Sequence, residues 1–109
     1  MSLTVYDGTT ITKDPADVIV QHFDWDAENL ASGVTIVTAT VTATGQSGDL
    51  ITTPLTLDQV SILSGSRTVQ FRTNAGAAGS LWRVTCNIIT SETPAQTKER
   101  SIYISVVER

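Results

Sequence analysis

The chain has 109 residues, enough for one domain to bury a hydrophobic core without disulfide or metal staples. Its 18 Thr, 11 Val and 9 Ile make up over a third of the sequence, and branching at Cβ suits a pleated strand better than a helix. Seven Lys and Arg against eleven Asp and Glu leave a net charge of −4 with no basic stripe. Such a surface cannot neutralise phosphates, so neither nucleic acid nor an anionic membrane is expected as a partner.

The first dozen residues are polar, carry an Asp7-Gly8 turn signal, and read as an extended arm or a short first strand over 1–13. Lys13-Asp14-Pro15 breaks the chain, because proline restricts the residue before it. From Asp17 to Trp25 a strand is expected, with Ile19, Gln21, Phe23 and Trp25 on its inward face and Val18, Val20, His22 and Asp24 on the other. The segment from Asp26 to Gly33 reads as a helical turn or a loop that closes at the glycine.

The clearest pattern runs from Thr35 to Thr44. Val37, Ala39, Val41 and Ala43 alternate with Thr38, Thr40, Thr42 and Thr44, which predicts a half-buried strand with the small apolar residues inward. The outward threonine row is either an ordinary solvated face or a surface that pairs with another chain. Gly45 to Asp49 reads as a turn, and Leu50 to Leu57 as a looser stretch containing Pro54. Strands are expected at Gln59–Leu63 and Arg67–Thr73, joined as a hairpin through Ser64-Gly65-Ser66.

Beyond the Gly76–Gly79 connection, Trp82, Val84, Cys86 and Ile88 share one face of a strand over Leu81–Thr90, opposite Arg83, Thr85 and Asn87. The last strand, Arg100–Val107, places Ile102, Ile104 and Val106 inward and Ser101, Tyr103 and Ser105 outward. About seven strands separated by turn signals predict an all-β, immunoglobulin-like antiparallel sandwich over 14–109.

Catalytic chemistry finds no constellation in this pattern. His22 has no local nucleophile or orienting partner and reads as a partly exposed strand histidine. Cys86 alternates with core residues and reads as a small hydrophobe. Being the one cysteine, it can form no internal disulfide. Asp24, Asp26 and Glu28 lack the glycine and the spacing of a calcium loop, and Gly76–Gly79 lacks the lysine of a phosphate loop. No catalytic residue, metal ligand or cofactor is therefore expected. Trp25 and Trp82 fall on inward faces and read as core, whereas exposed tryptophans would be able to anchor a partner or stack on sugars. Tyr6, Tyr103 and Val107 are the candidate protein-contact residues. The longest apolar runs, such as Val18-Ile19-Val20, are too short to span a bilayer, and the first residues show no secretory pattern.

Laid out in order, the motifs resemble small tailed-bacteriophage virion proteins of the fiber-tail adaptor type. The resemblance runs through Lys13-Asp14-Pro15, Asp24-Trp25, Leu30, Thr35-Ile36 and Thr68-Val69-Gln70-Phe71. It continues through Gly76–Gly79 into Trp82-Arg83-Val84-Thr85-Cys86-Asn87-Ile88, and ends with Glu99-Arg100-Ser101-Ile102-Tyr103-Ile104-Ser105-Val106 and Glu108-Arg109. The ordered Asp14-Pro15, Asp24-Trp25 and Glu99-Arg100-Ser101 are its most specific parts. Trp82 stands where the pattern has a tyrosine, and Gln46 to Ser66 is longer and more polar.

The resemblance implies a non-enzymatic structural protein of the virion, made in the host bacterial cytoplasm, without cofactor or catalytic residue. Its partners would be other virion proteins (tail, fiber, portal or capsid), with several copies or a homo-oligomer in the particle. The leading expectation is an adaptor that docks fibers or tail components. A capsid (head) decoration protein is the structural alternative. A carbohydrate- or surface-binding module using Trp25, Trp82 or Tyr103 is the alternative from another class.

Overall fold

A computed structural model describes residues 2–25, 32–63 and 67–108. Among them are eight strands and no helix: β1 (Ser2–Val5), β2 (Thr10–Lys13), β3 (Ile19–Asp24), β4 (Ile36–Ser47), β5 (Leu55–Ile62), β6 (Thr68–Ala75), β7 (Leu81–Thr90) and β8 (Thr97–Val106). They form two four-stranded sheets, β1-β3-β6-β5 and β2-β8-β7-β4, packed as a sandwich.

The sandwich expected from the alternating patterns is present, with two differences. There are eight strands, and both sheets are mixed rather than purely antiparallel. The six longer strands pair antiparallel, while β1 runs parallel to β3 and β2 parallel to β8. The physical reason lies in the turn at Tyr6–Thr9, where Thr9 N–H donates to the Tyr6 carbonyl at 3.0 Å. It carries the chain from the edge of one sheet to the edge of the other, so residues 2–13 contribute one short strand to each.

Period-two alternation builds the core. Gln21, Phe23 and Trp25 face inward from the β3 segment, Val69, Phe71 and Thr73 from β6, and Trp82, Val84, Cys86 and Ile88 from β7. Ile102, Ile104 and Val106 of β8 are fully buried beside the β7 set. Phe23 and Trp25 meet at a ring-centroid distance of 5.3 Å, and the Arg100 guanidinium covers Trp25 at 5.7 Å. Both tryptophans are thus core residues. Trp82 Nε1 donates to Ser80 Oγ at 2.9 Å, so its one polar atom is satisfied inside the sandwich.

One predicted orientation is reversed. Val37 points to solvent at 57 % exposure, and Ile36 takes the inward position at 4 %. The register with β7 slips between Ile36 and Thr38, so Val37 is an extra residue in a bulge. A bulge shifts the alternation by one residue and turns every side chain before it to the opposite face. From Thr38 onward the predicted alternation holds.

Strand β5 starts at Leu55, inside the stretch read as loose, and it too is bulged. Its register shifts between Asp58 and Ser61, where Gln59 adopts φ 54°. The Ser64–Ser66 connection predicted for the β5–β6 hairpin lies outside the described residues. So do residues 26–31, the bulk of the segment expected to be a helical turn or loop; Gly33 beyond them has φ 79°, a conformation open to glycine.

Candidate functional site

The fold scatters the side chains capable of chemistry. His22 lies on the outer face of the first sheet, where Nε2 sits 2.8 Å from Gln70 Oε1 on the neighbouring strand. Cys86 faces the core from the second sheet and is 1 % exposed. The sandwich interior therefore separates the two. Burial pushes the Cys86 thiol up to about 11, with the Trp25 indole offsetting part of that shift. A thiol held neutral in this way is a poor nucleophile. Of the acidic cluster, Asp24 ends β3, while Asp26 and Glu28 lie outside the described residues. No group of three His, Cys, Asp or Glu side chains converges among the described residues.

Lys13 is a residue whose place the sequence did not reveal. It alternates with Ile11 on the inward face of β2 and is fully buried. Its ammonium donates to the carbonyls of Ala75 (2.6 Å), Asp14 (2.9 Å) and Pro15 (3.4 Å). Removal from water lowers its pKa, and the carboxylates of Asp17 and Asp14 pull it back up. Ala75 ends β6 in the opposite sheet, so the ammonium ties the two layers together at one end. The only hint in the sequence was a lysine two residues after an apolar one.

The outer faces of the two sheets differ. The outer face of the second sheet is rich in hydroxyls. Across it, Thr10, Tyr103, Arg83 and Thr44 lie in one row, and Ser101, Thr85 and Thr42 in the next. Thr85 and Ser101 share a hydrogen bond at 3.0 Å. The outer face of the first sheet is more strongly tied within itself. There Arg72 makes a two-pronged contact with Asp58, at 2.8 and 2.7 Å. That contact holds the Asp58 carboxyl below its ordinary range.

The three candidate contact residues are not equivalent. Tyr6 is 44 % exposed in the turn between β1 and β2. Tyr103 points outward but is half-buried, because β2 covers its flank and places Thr10 beside it. The turn brings both tyrosines to the same end of the β2–β8 pair, with Gly8 N–H donating to the Ser101 carbonyl and Tyr103 N–H to that of Thr9, each at 2.8 Å. Val107, 42 % exposed, lies four residues farther along, roughly 13 Å away at the rise of a strand.

Compared with known families, the sequence is matched by a family model. It describes the podophage GP4 fiber-tail adaptor protein gp77 and matches residues 13–105. The chain belongs to this family. No curated protein and no solved structure matches the chain. The matched segment starts at Lys13 and runs to within one residue of the end of β8, so it contains both layers of the core and the Lys13 tie.

Proposed function

We propose that this protein is a non-enzymatic structural component of a phage particle, an adaptor that docks fibers or tail components onto it. The observation that carries this reading is membership of the fiber-tail adaptor family over residues 13–105. The fold is consistent with it, since the side chains that catalysis would need face opposite ways across the sandwich. The sheet orders β1-β3-β6-β5 and β2-β8-β7-β4 support an immunoglobulin-like module, with the N-terminal strand divided between the layers. Its partners are other virion proteins, of the tail and fiber first. Synthesis in the host cytoplasm suits a chain whose lone cysteine is buried and reduced.

Within this reading Tyr6 and Tyr103 form one contact patch beside the turn at residues 6–9, and Val107 contributes separately. The test is assembly in the absence of the chain. Particles lacking it should keep heads filled with DNA and lack fibers, and the purified protein should restore them. Normal fibers on such particles would exclude the adaptor role. Copy number separates it from head decoration: tens of copies or fewer fit an adaptor, and hundreds fit decoration. Tyr6→Glu should reduce restoration without altering the fold.

A further inference from the structure

A sandwich of two open sheets has four edges, and each edge strand leaves alternate N–H and C=O groups free to pair with another strand. Three of these edges are blunted. β1 and β2 are four residues each, and β5 is broken by its bulge and carries Asp58. β4 differs. It is twelve residues long, holds no charged residue and no proline, and among the described residues pairs only with β7. Among the described residues no backbone hydrogen bond approaches its open side.

Its inward side chains record the same opening. Ala39, Val41 and Ala43 pack on the core but are only partly buried, whereas the inward residues Val84, Cys86 and Ile88 of neighbouring β7 are each 1 % exposed. β5 of the first sheet packs close to β4 without pairing with it, and a strand added beside β4 would bury these residues further.

The sequence of β4 says what that strand is. Residues 38–44 read Thr-Ala-Thr-Val-Thr-Ala-Thr, a palindrome centred on Val41. Register shifts fall at Ile36/Thr38 and Gly45/Ser47, so the palindrome lies within the regular run between the bulges. An antiparallel pair related by a two-fold axis places position 41 against itself. Thr40 then meets Thr42 of the second copy, Ala39 meets Ala43, and Thr38 meets Thr44. Like stands against like throughout, and no charge meets its own image. Cross-strand threonine pairs are favourable contacts, and isologous contact of one patch with itself is the commonest closed symmetry. Because the axis passes through a residue, inward faces stay inward. The hydroxyl rows run on unbroken from one copy to the next.

We propose that β4 is a self-docking edge, and that two copies of this chain join through antiparallel β4–β4 pairing centred on Val41 into one continuous sheet. The proposal concerns pairing between copies and does not depend on what the particle attaches to them.

Sedimentation equilibrium over a concentration series should show the wild-type chain in a reversible monomer–dimer equilibrium. The double variant Thr40→Lys, Thr42→Lys should be monomeric throughout, with an unchanged circular dichroism spectrum, because both threonines are exposed. Register is read by disulfide capture. Thr40→Cys protein mixed with Thr42→Cys protein should form a mixed disulfide on mild oxidation, and neither variant alone should cross-link. A wild-type chain that stays monomeric up to its solubility limit would overturn the proposal. So would a lysine variant that still dimerises, or a pattern in which cross-links form elsewhere and not between positions 40 and 42.

Discussion

At the scale of single residues, the sandwich uses chemically versatile side chains for structure. Lys13 holds three carbonyls, His22 bonds across strands to Gln70, and Cys86 is buried in contact with the Trp25 side chain. The cysteine makes a pH prediction. Its thiol is held neutral in the fold to about 11 and ionises near 9.0 once the chain unfolds. Between those values the unfolded state binds fewer protons, so stability is full below pH 9 and falls as pH rises towards 11. The loss is on the order of 2 kcal/mol. Chemical denaturation of wild type against Cys86→Ala should show this fall in the wild type alone, and a thiol reagent should not label the native protein at neutral pH. The inward place of Cys86 was legible from its alternation with Val84 and Ile88. The role of Lys13 was not, because a lysine on an apolar face is normally solvated, and only the returning end of β6 supplies the Ala75 carbonyl that makes its burial tolerable.

Among the elements, legibility followed the regularity of the strand. β7 and β8 keep strict alternation along their cores, and their inward sets were readable residue by residue. β4 and β5 are bulged, and a bulge is an agreement between two strands that neither sequence announces alone. For this reason the simple alternation predicts the wrong face for Val37. The connections impose a similar constraint. Gly48 adopts φ 83°, and a Cβ there would run into the backbone of Gly79 and Ser80 in the turn before β7. Both faults are backbone-on-backbone and cannot be relieved by a rotamer change. Gly48→Ala should therefore cost at least about 2 kcal/mol, from the left-handed backbone and the clash together, measured as a shift in the denaturation midpoint. Gly33, also at positive φ, has nothing within 4 Å of that position, so Gly33→Ala should cost less.

For the molecule as a whole, the N-terminal segment decides how the two layers are closed. Val5 and Ile11 are buried, Gly8 and Thr9 bond to β8, and Lys13 reaches the end of β6. Removing residues 1–13 should cost at least about 3 kcal/mol from the two buried apolar side chains alone. Thermal unfolding followed by circular dichroism should show a much lower or absent transition, whereas an independent arm would leave it unchanged. The same segment marks where reading the sequence stopped. β-branched composition, period-two alternation and glycine-marked turns were enough to determine an all-β sandwich with Phe23, Trp25, Trp82 and Ile104 inside, because those signals are local and each strand carries its own. Tertiary structure alone decided that residues 2–13 serve both sheets in parallel, that Lys13 is buried, and that β4, among the described residues, is the edge strand of its sheet. Those outcomes depend on which strand arrives next to which, and the pairing of distant segments leaves no mark in the spacing of either one.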